Sequence, residues 1–303
     1  MNTHTHGSVG LPPRILSVNL NPAWQKTLLF DDLTIGAVNR ATWLGETGGG
    51  KGTNVARAGV RLGAELCVAQ FVGGHTGKLL LEEQERLGIA TITVECSAPT
   101  RTCTTVMSAG NGQATELIEP SGAIPKAQVE QLRELLLPQL SRFAGIALCG
   151  TYPPGVEESL YAEIAAAARE DALVLLDGVK GVEATLMTGV DLLKINRDEL
   201  AQLAELDDVR EAANTCFERY KIGYIAVTDG PSAAYLFSPR SSWRFQLPKL
   251  RSIRSAIGAG DCADAVLLVN CVRCRRAGNE LPHEGVVAAF TEALACASAS
   301  CLT

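Results

Sequence analysis

The chain has 303 residues, 47% of them hydrophobic and 20% charged, with a formal net charge of −6. That balance excludes a disordered chain and leaves room for a large core, in one big α/β domain or two smaller ones. The acidic surplus argues against a general nucleic-acid binder, because phosphate backbones demand a basic surface, but it permits a local basic pocket for a small anion.

Residues 1–13 contain no apolar stretch of signal-peptide type and read as a flexible polar tail ahead of a domain spanning 14–303. The run Ile15–Leu20 is the first predicted strand, with Asn19 and Asn21 at its end. Lys26–Glu46 then breaks the rhythm: it is Thr-rich and partly alternating, with a turn signal at Ile35-Gly36, and reads as a hairpin. A glycine-rich stretch, Gly48 to Asn54, opens a predicted helix over Thr53–Leu62, whose Val55, Ala58 and Leu62 share one face. A strand over Leu66–Val72 ends in Gly73-Gly74, and a helix covers Lys78–Leu87. Thr100–Glu119 is the second hairpin-like segment, turning at Asn111-Gly112. Together with 26–46 it forms an expected small lid, about 26–46 and 100–119, outside the main sheet.

Helix candidates Lys126–Phe143, Glu157–Arg169 and Val209–Lys221 alternate with strand candidates Ile146–Cys149, Leu173–Leu176, Leu192–Ile195 and Tyr224–Thr228. Alternating βα units predict an α/β fold with a parallel, doubly wound sheet flanked by helices. In such sheets ligands gather beyond the carboxyl ends of the strands. Those ends carry Gly150-Thr151, Asp177-Gly178, Asn196 and Asp229-Gly230, a polar or glycine residue each time. Turns favour these residue types anyway, which accounts for most positions taken singly. The last predicted helix begins at Ile257-Gly258-Ala259-Gly260-Asp261 and runs to about Arg276. No apolar run approaches the ~20 residues of a membrane helix. The ten cysteines sit mostly in apolar stretches, which with the absent leader predicts reduced thiols in a cytoplasmic protein. Cys271 and Cys274 form a C-x-x-C without the second pair of a zinc ribbon.

Two segments carry chemistry. At Gly258-Ala259-Gly260 the backbone N–H groups can turn toward an anion, and the helix N-terminus adds partial positive charge where a transferring phosphoryl group would need it. Asp261 follows as a group that can accept the proton of an attacking hydroxyl; helix capping is the plainer alternative. Gly48-Gly49-Gly50-Lys51-Gly52-Thr53-Asn54 lacks P-loop spacing, yet its glycines permit close approach of a ligand and Lys51 can meet a phosphate or sugar oxygen. Asp264, one turn further than Asp261, is a rival base, read as first-turn dipole stabilisation. His75 and His283 read as surface or satisfied histidines.

GGGKGTNVARAGVRLG resembles the first signature of the ribokinase-like (PfkB) carbohydrate kinases, and IGAGDCADA resembles their second. Asn196-Arg197-Asp198-Glu199 is similar to the N-x-x-E motif of that family, and the three motifs occur in the family's order. Within the family the chain looks most like the 1-phosphofructokinase and tagatose-6-phosphate kinase branch. Leu20-Asn21-Pro22-Ala23, Gly36 to Arg40, Thr100-Arg101-Thr102, Glu119-Pro120 and Gly150 to Gly155 carry that likeness.

The resemblance implies an ATP- and Mg²⁺-dependent kinase for a sugar phosphate, fructose 1-phosphate or tagatose 6-phosphate. It implies Asp261 as general base and Gly258, Ala259 and Gly260 as the anion hole. Asn196 and Glu199 would organise Mg²⁺ through water, and Thr228, Asp229 and Gly230 would lie against the nucleotide. Asn21, Gln25, Gly49, Gly50 and Asn54 fall on the substrate side, with Lys51 and Arg101 holding the existing phosphate. One departure stands out: the branch has an aspartate where this chain has Gln25, which can donate as well as accept but brings no charge. Two alternatives therefore stay open, a kinase for an unphosphorylated sugar or nucleoside and a non-catalytic sugar-phosphate sensor. Exposed lid strands are templates for edge pairing, so a homodimer through the lid stands beside a monomer.

Overall fold

Runs that are apolar without polar alternation form strands buried on both faces, and the core of this protein is built on them. The structure is a computed structural model that describes residues 11–110, 112–168, 172–231, 233–250, 257–275 and 281–302. Most of the expected tail, the turn residue Asn111 and the expected helix ends Arg169 and Arg276 lie outside the described residues.

In chain order, β1 (Arg14–Asn19), β2 (Ala23–Phe30) and β3 (Trp43–Gly49) lead into α1 (Lys51–Arg61). Then come β4 (Glu65–Val72), α2 (Gly74–Arg86), β5 (Ala90–Glu95), β6 (Arg101–Ser108), β7 (Ala114–Ile118) and α3 (Lys126–Leu136). Next are β8 (Gly145–Cys149), α4 (Ser159–Ala168), β9 (Leu173–Asp177), α5 (Glu183–Thr188), β10 (Val190–Asn196), α6 (Arg197–Ala204) and α7 (Val209–Arg219). The chain closes with β11 (Ile222–Asp229), β12 (Ala233–Ser238), β13 (Ser241–Gln246), α8 (Ala259–Cys274) and α9 (His283–Ser300). The helix expected over 126–143 ends early: α3 stops at Leu136 and a 3₁₀ turn, Leu137–Arg142, takes over. Pro138 lacks the N–H that would continue the α-helical ladder.

The main sheet is nine-stranded, in the order β13-β12-β11-β10-β9-β8-β1-β4-β5. Every pairing from β5 across to β11 is parallel, and β12 and β13 add antiparallel strands at one edge. Strand periodicity divides the core in two. Leu16, Val18, Leu148, Leu176 and Ile195 face a layer that includes α3, α4, α6 and α7. Ile15, Val68, Ala147, Leu175 and Leu192 face the layer of α1, α8 and α9. The strand order reverses between β1 and β8, which puts the topological switch point at Asn19 and Gly150.

The segments expected as a lid form a separate four-stranded sheet, ordered β3-β2-β6-β7. Two antiparallel hairpins, β2–β3 and β6–β7, join through a parallel β2–β6 pairing. Among the described residues no helix is long and apolar enough to cross a membrane.

Candidate active site

The first glycine-rich loop works by letting α1 start against the end of β1. Gly50 caps α1 with φ +90°, and a Cβ there would lie 2.9 Å from Asn19 Oδ1 and 3.1 Å from Pro22 Cα. A Cβ at Gly52 would fall 2.5 Å from Asn19 Cβ. The close approach is fastened by Ser17 Oγ donating to the Gly52 carbonyl (2.8 Å) and Asn19 Nδ2 donating to Thr53 Oγ1 (2.8 Å). Gly49 pairs with Ala23 in the β2–β3 ladder, and a Cβ on it would meet Gln25 Cγ, two residues along β2, at 2.5 Å.

The second loop opens α8, which packs against both α1 and α9. Gly258 is its N-cap, left-handed at φ +79°, and Asp261 is the acidic residue of its first turn. Asp261 is buried, 8% exposed, and accepts a hydrogen bond from Asn54 Nδ2 at 2.7 Å. Burial pushes its carboxyl above the ordinary value, and the Asn54 bond opposes that shift. A carboxylate that prefers its proton more than usual is a better base than a free one.

Beside it lies a charged cluster. One oxygen each from Asp177, Asp261 and Asp264 falls within 4.8 Å of the others. Lys51 Nζ donates to Asp177 Oδ1 at 2.8 Å, and Lys194 Nζ stands 3.7 Å from Asp264 Oδ1. With both carboxylates ionised, neither oxygen of Asp264, nor Asp177 Oδ2, would have a donor to accept from. Burial drives the Asp264 carboxyl well above its ordinary value, with the Asp177 charge adding to the effect. Burial acts on Asp177 in the same sense, but Lys194 and Lys51 outweigh it and hold that group low. Lys194 is held above its ordinary value against the cost of burial, by Asp264 and Asp177. The two directions conflict, because Asp264 prefers its proton while its charge is part of what raises Lys194. The 3.7 Å ammonium distance is too long for a hydrogen bond, so a neutral Asp264 donating to ionised Asp177, itself flanked by two lysines, is the consistent state. Two ammonium groups within the cluster also make it a poor cage for a divalent cation.

Asp264 is thus not a first-turn dipole residue. It sits in the second turn of α8, fully buried, and its neighbours on the sheet decide its state.

The remaining candidates lie along the same sheet edge. Register pairs Asn196 with Thr228, and Asp229 is ion-paired to Arg197 at 3.3 Å. Gly230 has φ +56° with open space around it. Asn196 and Glu199 form a capping box at α6: Asn196 Oδ1 accepts from Glu199 N (2.9 Å), and Glu199 Oε2 accepts from Asn196 N (2.8 Å). At the other end of the edge, Asn21 donates to Thr151 Oγ1 (3.1 Å) and accepts from Ser121 Oγ (2.8 Å). Arg101 Nη2 reaches the Asn21 carbonyl at 3.3 Å, while its buried Nε has no partner. Asn21, Thr100, Arg101 and Ser121 line one small recess. Gln25, Asn54 and Gly258 line a second, larger cleft of about 750 Å³ between the small sheet and the α1–α8 layer. Lys51 and Arg101 therefore stand at different stations, Lys51 on Asp177 and Arg101 on Asn21.

Residues 27–303 match the pfkB family carbohydrate kinases. The chain belongs to that family. It is 27% identical over 256 residues to tagatose-6-phosphate kinase of Staphylococcus epidermidis, covering 82% of each chain. It is 30% identical over 263 residues to 1-phosphofructokinase of Rhodobacter capsulatus, covering 84% of this chain and 83% of that one. Its fold is similar to that of Escherichia coli phosphofructokinase-2 crystallised with fructose 6-phosphate, at a TM-score of 0.80 and 24% identity, over 96% of this chain and 94% of that one. Family membership makes this chain an ATP-dependent sugar kinase.

Three residues escaped the sequence reading. Lys194 was hidden inside an apolar strand, although a lone charge in a strand buried on both faces is itself a signal. Its ammonium would lie 2.9 Å from a Cβ at Gly260, so that glycine also makes room for it. Arg57 and Glu83 sat on helix faces where solvated charges are ordinary, and only the structure brings them together, at 3.1 Å.

Proposed function

We propose that this kinase transfers the γ-phosphoryl group of ATP to a hydroxyl of a sugar phosphate, in the manner of 1-phosphofructokinase or tagatose-6-phosphate kinase. The observation that carries the reading is Asp261, buried beneath a left-handed glycine cap at the N-terminus of α8 and facing the Asn54 amide. Asp261 takes the proton of the acceptor hydroxyl as its oxygen bonds to the γ-phosphorus, and the bond from that phosphorus to the ADP oxygen breaks. The N–H groups of Gly258, Ala259 and Gly260 receive the charge that spreads onto the phosphoryl oxygens. Thr228, Asp229 and Gly230 flank the nucleotide.

Asn196 and Glu199 fit the outer coordination of Mg²⁺. Glu199 gives Oε2 to its cap, and its other oxygen would take a water of the ion. Magnesium held there would neutralise the β- and γ-phosphates. Arg101 supports the phosphorylated substrate: an unpartnered guanidinium nitrogen in a recess with Ser121 and Thr100 suits a phosphate oxygen. Gln25, Asn54 and the glycines at 49 and 50 would hold the sugar. The Lys51–Asp177 pair favours a second reading, a kinase for a neutral sugar, because it occupies one of the two cations expected to grip a phosphate.

The small sheet is the expected lid of a single domain, closing over the sugar and excluding water. Its β7 edge is exposed along its length and includes Leu117 and Ile118, which suits pairing with a second copy. Ten free thiols suit the cytoplasm.

ADP release would be followed with Mg-ATP and a panel of fructose 1-phosphate, fructose 6-phosphate, tagatose 6-phosphate, fructose, ribose and nucleosides. Turnover on one phosphosugar, with its KM raised by Arg101→Gln, is the expected result; turnover on neutral sugars alone would establish the second reading. Asp261→Asn should lower kcat by about 10²–10⁴ while sparing ligand binding. Full turnover in that variant would place the base elsewhere, and binding without turnover in the parent protein would mark a sensor.

A further inference from the structure

An asparagine amide has a donating end and an accepting end, so its use as a donor depends on what holds the other end. Asn54 donates to the Asp261 carboxylate through Nδ2 at 2.7 Å. Its Oδ1 accepts from Arg57 Nη1 at 3.0 Å. A flip would set Oδ1 against a carboxylate oxygen and the amide NH₂ against a guanidinium, two repulsions in exchange for two bonds. Arg57 therefore selects the orientation that serves Asp261.

Arg57 is itself fixed. Its Nη2 donates to Glu83 Oε1 (3.1 Å), to Thr47 Oγ1 (2.9 Å) and to the Gly48 carbonyl. Glu83, on α2, accepts from Thr47 Oγ1 at 2.7 Å and from the Gly48 N–H. The pair is largely buried, with the side chains 20% and 15% exposed, so it is not a solvent-screened surface bridge. Thr47 and Gly48 are the two residues before Gly49, which ends β3 where the small sheet meets α1.

We propose that Arg57 and Glu83 are positioning residues: through the Asn54 amide they orient the carboxylate of Asp261 and tie its placement to the root of the small sheet. The assignment of Asp261 as the base rests on the proposed function; the chain of hydrogen bonds does not. Lysine in place of Arg57 supplies charge but no planar fork, so it cannot hold Asn54 and the β3 root together.

The test is ¹³C titration of the Asp261 carboxyl in the ligand-free full chain, assigned with Asp261→Asn. Other groups that act on Asp261 are Asp177 from β9, Lys194 from β10, Lys51 from α1, Cys149 from β8, and Asp264 and Cys262 from α8 itself. None of them is altered by the variants. Arg57→Met should move the midpoint upward, because the bond that favours the ionised form is loosened; Glu83→Gln should move it in the same direction by less, and Arg133→Met, a surface control paired with Glu163, should leave it alone. With the best substrate of the ADP-release panel, kcat of Arg57→Met should fall about tenfold, the worth of a hydrogen bond to a charged group, with KM for ATP unchanged. If Arg57→Met does not fold, Glu83→Gln carries the test. An unmoved midpoint in a folded Arg57 or Glu83 variant overturns the relay. A moved midpoint in a chain without kinase activity sustains the relay and sinks the kinase reading instead.

Discussion

Asp264 shows how an environment sets the state of a single side chain. It differs from Asp261 by three positions on one helix, yet Asp261 faces the cleft through Asn54 whereas Asp264 faces Asp177 and Lys194 inside the sheet layer. A neutral Asp264 has a thermodynamic signature. Below the carboxylate pKa of the unfolded chain both states hold the proton, and stability is unaffected. As pH rises from there toward the raised folded pKa, the unfolded chain loses its proton first, and stability declines. Asp264→Asn removes that loss while keeping the shape and a donor for Asp177. Its Tm relative to the parent should therefore climb by a few degrees between pH 4 and pH 7, read by thermal melts. A difference that stays flat with pH would mean that Asp264 is ionised in the fold. The Asp261 shift predicts in addition that the acid limb of the kcat profile lies above the range of an ordinary aspartate.

Among the elements, α1 is the one whose placement the site needs most, and Gly52 is where it comes nearest β1. Gly52→Ala would drive a Cβ into Asn19 Cβ at 2.5 Å and Ser17 Oγ at 2.9 Å, shifting α1 together with Lys51, Asn54 and Arg57. Overpacking of this kind costs about 1–3 kcal/mol, and chemical denaturation should report it alongside a loss of turnover larger than the loss of folded protein. Such elements were legible in the sequence because their signals are local. The buried strands of the parallel sheet lack alternation, the glycine loops precede helices, and Asn196 and Glu199 are spaced as a cap. What escaped was set by distant partners. β5 alternates weakly and pairs only with β4, at the edge of the sheet, and β12 and β13 take their form from antiparallel pairing beyond β11. Lys194 needed a buried acid from α8 to explain it, and Arg57 needed Glu83 from α2.

At the scale of the whole molecule, the exposed apolar side chains of the small-sheet segments are Leu33, Ile35, Val38, Trp43, Leu44, Leu117 and Ile118. So many in one region suit burial against another copy. Light scattering should find a dimer at micromolar concentration, and Ile118→Lys with Leu117→Glu should shift it toward monomer; a parent chain that is already monomeric removes the lid-mediated dimer.

The parallel junction at the centre of the small sheet has a further consequence, for the order of folding. β2 and β6 are contiguous in space but lie far apart in the chain, with β3, α1, β4, α2 and β5 between them. Closing so long a loop is entropically expensive, and a thin, half-exposed ribbon cannot offset that from its own contacts. β1 and β5 must first be set in the main sheet, one on each side of β4, before β2 and β6 are delivered side by side. The ribbon should thus assemble last and open first. Its amides, β7 foremost, would exchange with deuterium through openings smaller than global unfolding, while those of β1 and β8 wait for the whole chain to unfold.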